Sequence, residues 1–295
     1  MNQLLSAVIN GVATGVPLFL VASGFTLIYG VMGVLNFAHG AFFMFGAYCF
    51  AVMLGGQALS LPMFLLYALG AAAVIAVLGV LSERLVFARL YNSGHMINLL
   101  AAYALMLMLI GLSILVFGTT TYHVPRPSPF KGAVHIGTVP VPSYNLFVIA
   151  AGLIVAAGLW FLLNKSSLGM KIRAVAHDRT TARALGVRAP LVGMGVFALG
   201  CALAGLAGAL DSPMISVAQG MDATFAIQFF VVVIIGGLGS TWGALAASLL
   251  VGLMESLLVY YAPAWSQYGM YILVVIVLLM RPQGLFVRGP AITHS

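Results

Sequence analysis

Charge is what this sequence has least of. Its 295 residues include 5 Asp or Glu and 12 Lys or Arg, so only 6% are charged, where a soluble domain carries roughly 25%. No Asp, Glu, Lys or Arg precedes Glu83. A water-soluble core is excluded by that scarcity alone. Cysteine is nearly absent too: Cys49 and Cys201 each fall within an apolar run. That excludes a disulfide framework and a cysteine-based metal site, and both residues read as small buried side chains. No His-Glu-x-x-His, no Gly-x-Ser-x-Gly and no cluster of inward-facing Asp or His stands anywhere in the chain. The motifs of a membrane metalloprotease or serine hydrolase are therefore missing, and no catalytic residue is expected.

What is present is apolar. Sixty-three per cent of the residues are hydrophobic and the mean hydropathy is +1.15. A membrane-spanning helix needs about 20 such residues. Apolar runs predict spans near 5–31, 39–56, 61–82, 96–117, 144–163, 191–210, 223–238, 243–261 and 266–280. The seventh and ninth are short enough for re-entrant or half-crossing segments. The expected fold is all-α: a polytopic membrane bundle of eight to ten transmembrane or re-entrant helices, forming one domain over residues 1–295. Met1-Asn2-Gln3 has no basic residue and no small-residue cleavage pattern follows, so the first apolar run reads as a span and not a signal peptide.

The net charge of +7 does not point to nucleic acid. Membrane proteins gather Lys and Arg in cytoplasmic loops, and here Lys165, Lys171, Arg173, Arg179, Arg183 and Arg188 face a single Asp178 between residues 164 and 190. That loop is expected to be cytoplasmic. Nine spans then put the Glu83–His95 loop and the tail with Arg281 and Arg288 on the same side, and the N-terminus outside. The opposite loop, 118–143, holds five prolines and only Arg126 and Lys131 as charges. Its Val134–Val139 stretch alternates like a short strand, which suggests a small ordered external cap.

Glycine is abundant, with 34 residues. Pairs such as Gly11 and Gly15, Gly205 and Gly208, and Gly239 and Gly243 suit close helix packing in lipid. Two clusters interrupt helices instead. Gly33-Val34-Leu35-Asn36-Phe37-Ala38-His39-Gly40 puts polar groups and freed backbone at the membrane edge, tolerated only against protein or a water-filled cavity. Asn36, His39 and Gly40 are pathway candidates, and Asn36 also suits a cap on the next helix. Gly236-Gly237-Leu238-Gly239-Ser240-Thr241-Trp242-Gly243 contains no Lys and is no phosphate cradle. Gly236, Gly237, Gly239 and Ser240 read as a helical break lining a cavity. The two breaks together hint at an internal repeat. Glu255 is the one acid deep in a span: it either lines a pathway or accepts hydrogen bonds from Ser248 or Ser256. Asp211 and Asp222 flank a loop, where solvated or capping roles are the default.

In the basic loop, Asp178 can cap a short helix over Arg179–Leu185 that Gly186 terminates. Such a helix is too short to be stable alone in water. Ala182 and Leu185 lie three apart on one face of it, basic residues surround them, and the combination suits docking to a cytosolic partner.

Several of these segments resemble a known family. The Gly33–Gly40 segment, Gly236–Ser240 and the terminal Arg281-Pro282-Gln283-Gly284-Leu285-Phe286 are similar to the LivH-type permease of bacterial branched-chain amino acid ABC transporters. The stretch from Gly169 through Arg173, Ala182 and Arg183 to Gly186 resembles that family's ATPase-coupling segment, so Arg173, Asp178, Arg179, Ala182, Arg183, Leu185 and Gly186 become coupling candidates. The likeness runs from about Gly11 to Gly289. It implies a fold related to sugar permeases. It also implies a second, LivM-type permease subunit, two cytoplasmic ABC ATPases and a periplasmic substrate-binding protein. ATP would bind on the ATPases, with no cofactor or metal in this chain, and the cargo would be neutral amino acids crossing the inner membrane by alternating access. Many relatives carry an acidic residue directly after the His-Gly pair, where this chain has Ala41.

Other readings differ in what they require. Urea, short-amide and sugar permeases share parts of the same pattern. An ion-coupled secondary transporter would need paired ionisable groups within the membrane, and Glu255 stands nearly alone. Leu54-Gly55-Gly56-Gln57 imitates part of the ABC ATPase signature, but no Walker A motif accompanies it.

Overall fold

The computed structural model describes residues 2–90, 93–137, 139–281 and 284–286. Pro282, Gln283, Arg288 and Gly289 lie outside the described residues, so the terminal motif is seen only at Arg281 and from Gly284 to Phe286. Helices dominate: α1 (Asn2–Met32), α2 (His39–Leu54), α3 (Leu61–Ser82), α4 (Ala88–Leu90), α5 (His95–Phe117), α6 (Ser143–Lys165), α7 (Ser167–His177), α8 (Arg179–Ala184), α9 (Ala189–Asp211), α10 (Met221–Gly236), α11 (Thr241–Tyr261) and α12 (Ser266–Met280). Among the described residues, six helical segments are long and apolar enough to cross a membrane, and α2, α10 and α12 are shorter apolar helices. All nine expected spans are therefore helices, and the chain is an all-α polytopic bundle.

The short helices are tolerable for different reasons. α2 has 16 residues, most of them buried, so its N-terminal part is surrounded by protein, whereas Val52 and Met53 at its other end are exposed. α12 has 15 residues and exposes Tyr268, Val275, Leu279 and Met280 at the rim. The bundle centre is built from α1, α2, α9 and α11. In lipid, packing of small residues replaces the hydrophobic drive between helices. A Cβ on Gly24 would lie 2.5 Å from the Gly200 carbonyl oxygen, and one on Gly11 would lie 2.7 Å from the Leu253 Cα. α1 thus meets α9 and α11 backbone to backbone. Gly46 and Gly208 do the same between α2 and α9. Gly239 differs: it has φ +88° and open space around it, so it is a turn residue and not a packing one.

Connectivity divides the loops between two faces. The 55–60, 118–142 and 212–220 segments share one. There the Ser128 amide donates to the Leu59 carbonyl at 2.9 Å, and Tyr122 and Val217 exchange backbone bonds of 2.9 and 3.0 Å. The other face holds 33–38, α7, α8 and 237–240. Every described Lys and Arg except Arg126 and Lys131 lies at or near this second, basic face.

Three expectations need correction. The Glu83–His95 segment is not simply a loop, because a π-helical turn over Glu83–Phe87 carries α3 on into α4 and buries Glu83. Val134–Val139 is not a single strand. It spans a hairpin, Ala133–Ile136 against Val139–Pro142, whose chain reverses at Gly137 with φ +65°. Asp211 and Asp222 are buried, which excludes the solvated alternative.

Candidate functional site

The first break sits inside the core. Asn36, His39 and Gly40 are all buried. Asn36 does not cap α2, whose N-cap is Ala38 with no side-chain bond. Its Oδ1 accepts from the Ala38 amide at 3.1 Å, and its carbonyl accepts from the His39 amide at 3.1 Å. Both bonds shape the turn that Gly33 begins with φ +67°. His39 Nε2 lies 3.1 Å from the Val21 carbonyl oxygen. A carbonyl only accepts, so Nε2 carries the proton. The ring stands edge-on to Phe25 and Phe229, with centroids 5.8 Å away in each case. Gly40 has room for nothing more: a Cβ there would lie 2.6 Å from the Asp222 carbonyl oxygen. This break therefore locks α2 against α1 and α10.

The second break faces open space. Gly236 and Gly237 are buried, Gly239 is exposed and Ser240 is half-buried. Gly237 and Gly239 turn the chain with φ +90° and +88°. The Ser240 hydroxyl then caps α11 by accepting from the Gly243 amide at 3.0 Å. Gly239 and Ser240 line a cavity of about 740 Å³ with Thr26 and Gly30 of α1, Arg173 of α7 and Phe286. Residues from distant parts of the sequence thus share one chamber at the basic face.

The coupling candidates sit on two helices, of which the sequence pattern indicated only the second. α7 begins where Ser166 Oγ accepts from the Gly169 amide at 3.0 Å. Gly169 packs directly on the Leu162 and Leu163 carbonyls, so only glycine lets α7 fold back over α6. The local signal for this helix start is the Ser-x-x-Gly stretch, Ser166 to Gly169, a capping residue placed three before the amide it serves. At α8, Asp178 Oδ1 accepts from the Thr180 and Thr181 amides at 2.8 and 3.2 Å, and Oδ2 accepts from the Thr181 hydroxyl. These bonds, the Thr181 side chain first, hold the Asp178 carboxyl below the usual carboxylate range. A depressed folded pKa means the cap contributes fully at neutral pH and is lost only as acid protonates the group. α8 closes as expected at Gly186, φ +83°, with the Gly186 amide on the Arg183 carbonyl at 2.9 Å and the Val187 amide on the Ala182 carbonyl at 3.0 Å. That is a Schellman pattern.

Ala182 and Leu185 do not share a face. Ala182 packs inward with Val175 and Ala189, whereas Leu185 lies past the last helical residue and is 78% exposed. Leu185 and Gly186 line an apolar cleft of about 670 Å³ between α7 and α9, with Lys171 and Arg188 beside it. Arg173 and Arg183 are exposed and Arg179 is half-buried.

Glu255 lies on the other side of the molecule, in the C-terminal part of α11. Neither neighbouring serine serves it: Ser256 Oγ donates to the Ala7 carbonyl at 2.7 Å and Ser248 Oγ to the Leu245 carbonyl at 2.9 Å. Glu255 opens instead onto a cavity of about 480 Å³ between α10, α11 and α12. The structure thus separates three places: a packed centre, a basic-face chamber and a far-face pocket.

The family model described as branched-chain amino acid transport system, permease component, matches residues 7–280. The chain belongs to that family. It is a multi-pass membrane permease subunit. The permease is 27% identical over 294 residues to the high-affinity branched-chain amino acid transport system permease protein BraD of Pseudomonas aeruginosa, with 96% of each chain covered. It is 29% identical over 302 residues, again with 96% of each covered, to the LivH protein of the same description from Salmonella typhimurium. To the LivM protein of Escherichia coli it is 28% identical over 148 residues, covering 48% of the permease and 33% of LivM. No solved structure matches the permease.

Proposed function

We propose that the permease carries branched-chain and other neutral aliphatic amino acids from periplasm to cytoplasm across an inner membrane, by alternating access driven by ATP. The observation that carries this reading is the basic-face chamber. There the coupling residue Arg173, the glycine turn at Gly239 and Ser240, and the inner end of α1 line one space. A partner pressing on α7 therefore acts on the same space that the helical break borders. The basic face is cytoplasmic by the positive-inside rule, and residues 118–143 are external.

Two ABC ATPases would dock on α7 and α8, contacting exposed Arg173, Arg183 and Leu185, and would bind the ATP. The partial likeness to LivM supports a second, LivM-type permease beside this one, fed by a periplasmic binding protein. Gly236 and Gly237 are hinge-supporting positions, and Asn36, His39 and Gly40 act on the pathway through packing. No strongly charged cargo is expected, because helix ends and freed backbone suit a zwitterion.

The test is uptake of labelled leucine by cells carrying the complete system, with isoleucine, valine, urea, short amides and ribose as competitors. Competition by the aliphatic amino acids is expected. Competition by urea or amides alone, or by ribose alone, would reassign the cargo.

A further inference from the structure

The far-face pocket has a chemistry of its own. It is about 480 Å³ in volume and is bounded by Thr224 and Gln228 of α10, Glu255 of α11, and Ser266 at the start of α12. Ile227 and Met270 supply apolar wall. No Lys, Arg or His is among its described lining residues. The pocket is open at the rim, where Ile227, Tyr268 and Tyr271 are exposed and Glu255 is half-buried. A carboxylate there, between apolar helices and with hydroxyl and amide neighbours but no cation, is incomplete by itself. What completes it is a positive group that enters and leaves.

Two further carboxylates and two cations share that face. Asp211 ends α9 and Asp222 begins α10 on the same face. The described cations on that face are Arg126, whose guanidinium carbon stands 6.0 Å from the Tyr144 ring centroid, and Lys131 in the external loop. Glu255 is the one charged group among the described lining residues, and a carboxylate in a cleft with low-dielectric walls raises the local concentration of cations.

The geometry points to this pocket as an amine-binding site of the transport pathway, in which Glu255 receives the α-ammonium group of the cargo while Ile227 and Met270 meet its side chain. The assignment rests on the amino-acid reading above and deepens it. The cargo's carboxylate has no partner cation in this lining, so the pocket selects for the amine end. An amine with an apolar tail satisfies it, and an α-hydroxy acid of the same shape does not.

The experiment uses the assembled transporter in nanodiscs, with Thr224→Cys as a reporter in a background of Cys49→Ala and Cys201→Ala. Labelling rates are compared for a cationic and an anionic methanethiosulfonate of similar size. The cationic reagent should react about tenfold or more faster, the preference should collapse towards unity in Glu255→Gln, and Glu255→Asp should retain it. Leucinamide should slow labelling, and 2-hydroxyisocaproate should not. An unchanged ratio in a folded Glu255→Gln transporter overturns the assignment, as does equal protection by both analogues. Leucine uptake by the complete system is measured in parallel. Charge selectivity without leucine uptake would leave the amine site standing and remove the amino-acid reading. Leucine uptake with no charge selectivity would do the reverse.

Discussion

Leu285 donates its backbone N–H to the carbonyl oxygen of Ile235 at 2.8 Å. Ile235 lies in the last turn of α10, where carbonyls have no helical partner, so the C-terminal segment completes the end of that helix. Gly284, φ +89°, sits beside it, and a Cβ there would lie 2.7 Å from both the Cα and the nitrogen of Gly237. The terminal segment therefore braces the Gly236–Ser240 break and places Phe286 in the chamber wall. Gly284→Ala should lift this segment, because the left-handed backbone costs roughly 1–2 kcal/mol for a residue with a Cβ and the contact adds to it. Hydrogen exchange at the Leu285 amide should quicken, and unchanged protection would show that the brace tolerates a methyl group.

Single cysteines report topology directly. Ser128 and Ser167 are both exposed, on opposite faces. In a background without Cys49 and Cys201, Ser128→Cys should react with an impermeant maleimide in intact cells, and Ser167→Cys only after permeabilisation. The reverse pattern would invert the assignment of the basic face.

Leu185 is a large apolar side chain left 78% exposed at the end of α8. Leu185→Asp should leave insertion and melting temperature unchanged, because the residue packs on little within the chain. It should nonetheless lower ATPase co-purification and transport at least tenfold, in keeping with the loss of a buried interface anchor. Arg183→Glu should act in the same direction. Normal transport in both variants would remove α8 from the docking surface.

Glycine positions should divide sharply by what they touch. Gly24→Val forces a side chain into the Gly200 backbone and should destabilise by about 1–3 kcal/mol. Gly111→Ala meets nothing within 4 Å and should be within about 0.5 kcal/mol of the parent. Thermal unfolding in one detergent, followed by loss of monodisperse protein, distinguishes them. Equal melting temperatures would contradict the close approach of α1 to α9.

Among the described residues, the six long apolar helices and the three shorter ones are all legible as apolar runs in the amino-acid sequence alone, and for the six long ones bilayer thickness turns composition into segment length. The ends of α8 are legible for an equally local reason: an Asp that caps and a Gly that reverses the chain act on neighbours a few residues away, and Asp178 and Gly186 do so. The family likeness also rests on contiguous motifs. Burial cannot be read in the same way. Asp211 and Asp222 look like solvated loop flanks until α9 and α10 are packed, and Asn36 looks like a helix cap until the turn at Gly33 directs it to Ala38. The partition of Ala182 inward and Leu185 outward depends on where α7 and α9 stand. Glu255 illustrates the limit: its charge within a span is a fact of sequence, but whether it meets a serine or a cavity depends on contacts among three helices. Local patterns determined most of the helices, though not α7 or the continuation of α3 through Glu83–Phe87 into α4. Only the tertiary arrangement decided which polar groups are buried, which share a chamber and which are left open to receive something.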